Sequence, residues 1–162
     1  MATSQLLLAE KNHSHKLEKV VDWIPCLFIP GINKDKIVIF FHGNGEDINS
    51  AYEFAFFISN QLKTSILIME YPGYSVYGGT ASPAAVLADA DRVILFLQHY
   101  GFKPQDMILF GRSIGGAIAL QLASNYCICS LILLSPFLSL KKIVEDLCGK
   151  AVSCFISDTL NN

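Results

Sequence analysis

The sequence predicts an α/β domain, a three-layer sandwich in which helices cover both faces of a parallel sheet. Three observations predict this class. Several short apolar runs do not alternate with polar residues, and the segments between them are long enough for crossover helices. Apolar residues make up 52% of the 162 residues and charged residues 16%, against about 45–50% and 25% in an average domain. Much of the chain is therefore expected to be buried core, of one domain or of a larger one.

The strands are predicted from four apolar runs of the kind that is buried on both faces of a parallel sheet. These runs are Ile37–Phe41, Ser65–Glu70, Met107–Gly111 and Leu131–Ser135. An earlier apolar segment, Trp23–Pro30, contains two prolines. Because proline cannot donate a hydrogen bond to a neighbouring strand, this segment is expected to form an edge strand at best.

Three helices are predicted between these strands. The first covers Asp47–Leu62. The second opens at Ser82-Pro83, a capping residue followed by proline at the first helical position, and it stops at Tyr100-Gly101. The third, rich in alanine and glycine, covers Ser113–Tyr126. Strand and helix thus alternate three times, which is typical of a parallel sheet.

The two ends of the chain differ in character. Residues 1–22 are polar and mixed, and they are expected to be a lead-in to a domain formed by residues 23–162. The apolar run Leu6–Ala9 is too short for a signal peptide. With no secretory signal, the odd number of five cysteines indicates reduced thiols in a cytoplasmic protein, and their spacing predicts no metal site.

Charge and loop motifs argue against two classes of partner. A net charge of −2 and a pI of about 6.0 disfavour nucleic acid, which binds basic surfaces. The dinucleotide motif G-x-G-x-x-G would need a glycine where Ile48 stands, and the phosphate-loop motif G-x-x-x-x-G-K-[ST] does not occur. A nucleotide-binding domain is therefore disfavoured, and no cofactor is expected.

Ligands of an open parallel sheet bind at the carboxyl ends of its strands, and one such end carries a G-x-S-x-G match. It reads Gly111-Arg112-Ser113-Ile114-Gly115, between a predicted strand and a predicted helix, as a nucleophile elbow requires. The glycines let strand and helix approach closely, so Ser113 projects above the sheet as the predicted nucleophile. The Ile114 N–H is then one oxyanion donor. The alternative is a serine that only caps a crossover helix.

A second strand end carries Phe41-His42-Gly43-Asn44-Gly45. It is predicted to supply the second oxyanion N–H, from Asn44. His42 is predicted to brace the turn together with Gly43 through hydrogen bonds, and a role as catalytic base is the less favoured alternative. Two further strand ends carry Tyr71 and Tyr74, and Phe137. These aromatic residues could line a substrate pocket, or they could serve packing alone.

Three of these segments together resemble the α/β-hydrolase superfamily, most of all its ABHD-type and serine-aminopeptidase-like members. They are His42-Gly43-Asn44-Gly45, Tyr71-Pro72-Gly73-Tyr74 and Gly111-Arg112-Ser113-Ile114-Gly115-Gly116. The resemblance covers residues from about 23 to 162. It implies a serine hydrolase that acts on an ester, thioester or amide, with Ser113 as nucleophile and Asn44 and Ile114 lining the oxyanion hole. Some members remove palmitoyl groups from proteins or hydrolyse lysophospholipids, so the resemblance implies a small-molecule or acylated-protein substrate and leaves membrane association open.

The sequence departs from this family after the nucleophile. The family order is serine, then an acid, then histidine. Here the acids that follow are Glu145, Asp146 and Asp158, and every histidine precedes Ser113: His13, His15, His42 and His99. The chain is therefore expected to be the N-terminal part of the fold, an incomplete copy with little activity of its own. The alternative is a non-catalytic pseudo-hydrolase that binds an acyl ligand or a partner chain.

Overall fold

The structure, a computed structural model, describes residues 5–10 and 23–135. This part of the chain contains three α-helices and six strands, and from the third strand onward strands and helices alternate as predicted. The helices are α1 (Ile48–Leu62), α2 (Pro83–His99) and α3 (Gly115–Asn125). The strands are β1 (Gln5–Glu10), β2 (Trp23–Ile29), β3 (Asn33–Phe41), β4 (Thr64–Met69), β5 (Met107–Arg112) and β6 (Ser130–Leu134).

The strands form one mixed sheet in the order β1-β2-β4-β3-β5-β6. The four strands that the apolar runs predict, β3 to β6, pair in parallel. Phe41 pairs with Gly111, so the carboxyl ends of β3 and β5 lie side by side. The loop after β3 and the turn after β5 are therefore neighbours, although about 70 residues of chain separate them.

Helices cover both faces of the sheet, and the predicted α/β class is confirmed. Alternate residues of the parallel strands enter two separate cores. On one face Val38 and Phe40 pack with the buried alanines of α1. On the other face Ile39 and Phe41 pack with α2 and α3. Because both faces are covered, consecutive residues in the apolar runs of these strands are all apolar, which is why the runs show no alternation.

The first 30 residues differ from expectation. β2 is not an edge strand: it lies between β1 and β4 and is antiparallel to both. The sheet accommodates Pro25 because this residue faces the end of β4, where its carbonyl accepts the Glu70 N–H at 2.9 Å. The missing proline N–H thus falls at the end of the β2–β4 ladder. β1 lies within the stretch expected to be a lead-in, and it provides the true edge.

Helix caps place two loops at the carboxyl ends of the strands. The Asp47 carboxylate accepts the Ser50 N–H at 2.7 Å, and the Ser50 hydroxyl in turn accepts the Asp47 N–H at 2.8 Å. This reciprocal pair is a capping box that begins α1 directly after the β3 loop. At the start of α2 Ser82 accepts the Ala85 N–H at 3.1 Å, as the Ser-Pro signal predicts.

Candidate active site

Ser113 lies in the turn that joins β5 to α3, with a backbone φ of +54°. A side chain in this left-handed region costs about 1–3 kcal/mol and persists only where the surrounding structure imposes it. Here the Ser113 N–H donates to the Leu134 carbonyl at 3.0 Å, and its own carbonyl accepts the Gly116 N–H at 3.0 Å. The turn is therefore tied to β6 on one side and to α3 on the other.

Two glycines make this turn sterically possible. A Cβ at Gly111 would overlap the backbone of Gly116, and a Cβ at Gly115 would overlap the carbonyl group of Phe41. The start of α3 is thus pressed against the ends of both β5 and β3. This close approach is the one that the G-x-S-x-G spacing predicts.

The loop after β3 lies directly beside Ser113. Gly43 is buried, and a Cβ placed on it would lie 3.6 Å from the Ser113 Cβ. The Gly43 N–H donates to the Glu46 carboxylate at 2.7 Å, and the Glu46 N–H returns a 3.1 Å hydrogen bond to the Gly43 carbonyl. The fold therefore brings the His42-Gly43-Asn44 segment next to the turn that carries Ser113.

The peptide group between Gly43 and Asn44 has a fixed orientation. Its carbonyl oxygen accepts the Glu46 N–H and lies 3.0 Å from Nδ1 of His42. Because a trans peptide is planar, the Asn44 N–H points away from these partners. Among the residues that the structure describes, neither the Asn44 N–H nor the Ile114 N–H has a hydrogen-bond partner. Within this part of the chain, the N–H groups of both predicted oxyanion donors are thus unpaired.

His42 is fully buried beneath this loop. Its Nε2 lies 3.1 Å from Oε1 of Glu70, and its ring stacks on Tyr71 at a centroid distance of 4.0 Å. Since Nδ1 faces the Gly43 carbonyl, groups other than Ser113 engage both ring nitrogens. This arrangement favours the bracing role over that of a catalytic base.

Glu70 is a buried carboxylate that the sequence analysis did not single out. Besides His42, its two oxygens accept the Tyr71 N–H and the Ile48 N–H, each at 3.1 Å. The Ile48 N–H belongs to the first turn of α1, where the helix dipole favours negative charge. Glu70 therefore joins the ends of β3 and β4 to the start of α1. A carboxylate that ends an apolar strand is the available signal, because a buried charge needs such partners.

The two tyrosines after β4 differ in their surroundings. Tyr71 is buried, and its hydroxyl donates to the His42 carbonyl at 2.9 Å. Burial, with the nearby Glu70 carboxylate, raises the pKa of Tyr71 well above its ordinary value, so it remains a donor. Tyr74 is half-buried and donates to the Asn44 side chain at 2.6 Å. Packing thus accounts for Tyr71, whereas Tyr74 borders the site; Phe137 lies outside the described residues.

Arg112 is a second residue that the sequence analysis left without a role. Its Nη1 donates to Oε1 of Glu46 at 2.5 Å, and its guanidinium carbon lies 5.6 Å from the centre of the Phe54 ring. Arg112 precedes the predicted nucleophile, and Glu46 belongs to the predicted oxyanion loop. No local periodicity reveals this pair, because 66 residues separate its members.

The remaining candidates lie elsewhere. His99 is exposed at the end of α2, just before the segment that leads into β5, and so lies at the opposite edge of the sheet from Ser113. The other two histidines and the acids after Ser113 fall outside the described residues. Within those residues, no group of His, Cys, Asp or Glu side chains could hold a metal ion. None of the helices described is both long and apolar enough to cross a membrane.

Comparison with known proteins places this site in context. Residues 32–161 match the family model for serine aminopeptidase, S33. The chain is also similar to Alpha/beta hydrolase domain-containing protein 17C of Mus musculus, with 32% identity over 116 residues. The match covers 70% of this chain and 36% of that protein, so the chain spans about a third of this relative's length.

Solved structures show the same fold. An alpha-beta serine hydrolase homologue from Coxiella burnetii matches with a TM-score of 0.67 and 16% identity, over 92% of this chain and 67% of its own. An arylesterase matches with a TM-score of 0.60 and 16% identity, over 83% of this chain and 45% of its own. At these identities the likeness concerns the fold alone.

Proposed function

Because this chain belongs to the serine aminopeptidase S33 family and has the α/β-hydrolase fold, we propose that it is a serine hydrolase with Ser113 as nucleophile. One observation carries the proposal: Ser113 is held in the left-handed region at a strand-to-helix turn, with Gly43 packed against its side chain. Backbone strain of this kind clusters at functional sites. An ordinary helix cap requires extended backbone instead, as Ser82 has at the start of α2.

In the proposed reaction, Oγ of Ser113 attacks the carbonyl carbon of an acyl substrate while a base takes the hydroxyl proton. The carbonyl oxygen becomes an oxyanion that accepts hydrogen bonds from the Asn44 and Ile114 N–H groups. Collapse of this intermediate expels the protonated leaving group and forms an acyl-enzyme, which water then hydrolyses. His42 does not supply the base, because both of its ring nitrogens are engaged elsewhere.

The substrate class we propose is an ester or thioester of an apolar acyl group, carried by a small molecule or by a protein. Ile114, 38% exposed beside the nucleophile, offers an apolar contact for such a group. The fold shared with an arylesterase makes simple esters suitable first probes. We also propose a cytoplasmic location, where the free thiols of Cys26, Cys127 and Cys129 would stay reduced.

The test combines a fluorophosphonate probe with hydrolysis of p-nitrophenyl butyrate by the full-length protein. We expect the natural protein to be labelled, and Ser113→Ala to abolish labelling and to lower hydrolysis by at least about 10³-fold. Ser124→Ala, which removes an exposed hydroxyl on α3, is the matched control and should leave both signals unchanged. Equal labelling of Ser113→Ala and the natural protein would exclude Ser113 as the nucleophile.

A second candidate function is binding of an acyl ligand without catalysis. It is favoured by the engagement of His42 away from Ser113 and by the absence of histidine from residues 114–162. It predicts that a non-hydrolysable acyl ketone binds equally well to the natural protein and to Ser113→Ala, while the fluorophosphonate labels neither. Labelling of Ser113 excludes this candidate.

A further inference from the structure

We propose that Arg112 and Glu46 are positioning residues that clamp the oxyanion loop onto the nucleophile turn. The inference rests on the proposed function, since it concerns how one oxyanion donor is held in place. Neither side chain is expected to touch the substrate. Their proposed effect passes through the backbone of Gly43 and Asn44.

A series of contacts connects the end of β5 to the loop after β3 and returns to Ser113. Arg112 directly precedes Ser113 and donates to one carboxylate oxygen of Glu46. The other carboxylate oxygen of Glu46 accepts the Gly43 N–H. Gly43 in turn packs against Ser113, with 3.6 Å between the Ser113 Cβ and a Cβ placed on the glycine. The two segments that carry the predicted nucleophile and the predicted donor are thus joined by side chains as well as by the sheet.

Glu46 controls the peptide that carries the Asn44 donor. Its side chain holds the Gly43 N–H, and its backbone N–H donates to the Gly43 carbonyl, which also lies 3.0 Å from Nδ1 of His42. If the Glu46 carboxylate turns away, the His42–Gly43 peptide loses the acceptor of its N–H and Gly43 is held only through its carbonyl, so the direction of the neighbouring Asn44 N–H is less tightly fixed. Arg112 prevents this movement by fixing the carboxylate with a charge-assisted hydrogen bond.

The surroundings of the pair fit such a role. The Glu46 side chain is 19% exposed, and the Arg112 side chain, 40% exposed, lies over the Phe54 ring. Contact with the ring restricts the guanidinium, so less rotamer freedom is lost when it binds Glu46. A partly exposed pair adds little to global stability. Its removal should therefore alter the loop more than the fold.

The matched comparison is Arg112→Gln against Arg92→Gln in the full-length protein. Arg92 also pairs with a carboxylate, Asp89, at 2.9 Å, but it lies on α2 away from the nucleophile turn. For p-nitrophenyl butyrate we expect Arg112→Gln to lower kcat about tenfold, a fraction of the 10²–10³ that loss of a whole oxyanion donor costs. KM should stay within about twofold, because the oxyanion forms only in the transition state. Arg92→Gln should leave both constants unchanged.

Two further variants separate positioning from a general structural role. Arg112→Lys keeps a donor near Glu46 and should recover most of kcat. Glu46→Gln can still accept the Gly43 N–H but presents its NH2 group to Arg112, so it should lose activity. Adding Arg112→Glu restores a donor–acceptor pair and should recover part of that loss. If all these variants behave like Arg92→Gln in a protein that is labelled at Ser113, the clamp is excluded and the hydrolase proposal stands.

Amide hydrogen exchange of Gly43 tests the clamp without relying on activity. Arg112→Gln should raise the exchange rate of this amide about tenfold, whereas Arg92→Gln should not. Unchanged exchange would overturn the clamp. Faster exchange in a protein that no fluorophosphonate labels would support the clamp as a feature of the loop while the hydrolase proposal fails.

Discussion

The carboxyl ends and the amino ends of the parallel strands, called here the carboxyl edge and the amino edge, differ in how their polar side chains are buried and paired. At the carboxyl edge, His42 and Glu70 are fully buried and hydrogen-bonded to each other. Ser113, whose backbone lies in the left-handed region, is nearby. At the amino edge, Lys36 and Asp106 form a looser 3.8 Å pair, each about one-third exposed.

A cleft lies at the less organised, amino edge. This open cleft has a volume of about 330 Å³ and lies beside Tyr100 and Phe102. No buried polar group is aimed into it from the residues that line it, whereas the carboxyl edge holds a network in which each charged group has a specific partner. Organised polar groups, rather than cleft volume, therefore identify the candidate site.

The two edges should differ most in how much stability is lost when a carboxylate is removed from each, and the His42–Glu70 pair provides the test at the carboxyl edge. We expect Glu70→Ala to lower the free energy of unfolding by about 3–5 kcal/mol, because His42 and two backbone N–H groups lose their buried partner. Asp106→Ala, at the amino edge, should cost about 1 kcal/mol or less. Urea unfolding of both variants measures the difference. Equal losses would show that the two edges do not differ in this way.

A smaller effect is expected from the glycine that α3 presses against β3. Gly115→Ala would place a methyl group on the Phe41 carbonyl and should cost about 1–3 kcal/mol, with slower fluorophosphonate labelling. Gly45→Ala, whose added methyl group meets open space, should stay within about 0.5 kcal/mol. Thermal melts of the two variants make the comparison. If Gly115→Ala melts at the same temperature as the natural protein, the turn adapts to an added methyl group more readily than its contacts indicate.

The smallest effect concerns the two helix caps. The Ser50 N–H lowers the pKa of the Asp47 carboxyl below its ordinary value. The charged cap thus stabilises the folded state above about pH 4, and this contribution is lost as pH falls through the lowered pKa of the folded protein. Asp47→Ala should cost about 1 kcal/mol at pH 7 and less at pH 3. Ser82→Ala, at the neutral cap of α2, should show a similar loss at both pH values.

The sequence predicted the parallel part of the fold because local patterns determine it. Apolar runs and cap residues located β3 to β6 and the three helices to within a few residues. The start of β3 was missed because Lys34, Asp35 and Lys36 interrupt its apolar pattern. β1 was missed because its apolar run, Leu6–Ala9, is short and lies in an otherwise polar stretch.

The site was predictable to a similar extent. Strand ends and the two glycine-containing turns predicted that Asn44, Ser113 and Ile114 would lie at one edge, and the structure brings these segments together. Glu46, Glu70 and Arg112 act through hydrogen bonds between segments that are distant in the sequence, and no spacing rule reports such pairs. The catalytic roles assigned to the site remain predictions.

The hydrogen bond from Ser113 to Leu134 has a consequence for the order of folding. Leu134 supplies a partner for the backbone of the turn, so we expect the turn to be fixed in its final shape only when β6 docks beside β5. Any reactivity of Ser113 therefore matures after the β5–β6 contact has formed. The rate at which a serine-directed probe labels Ser113 during refolding would then report the rate at which β6 docks. A folding intermediate that lacks this strand would not be labelled.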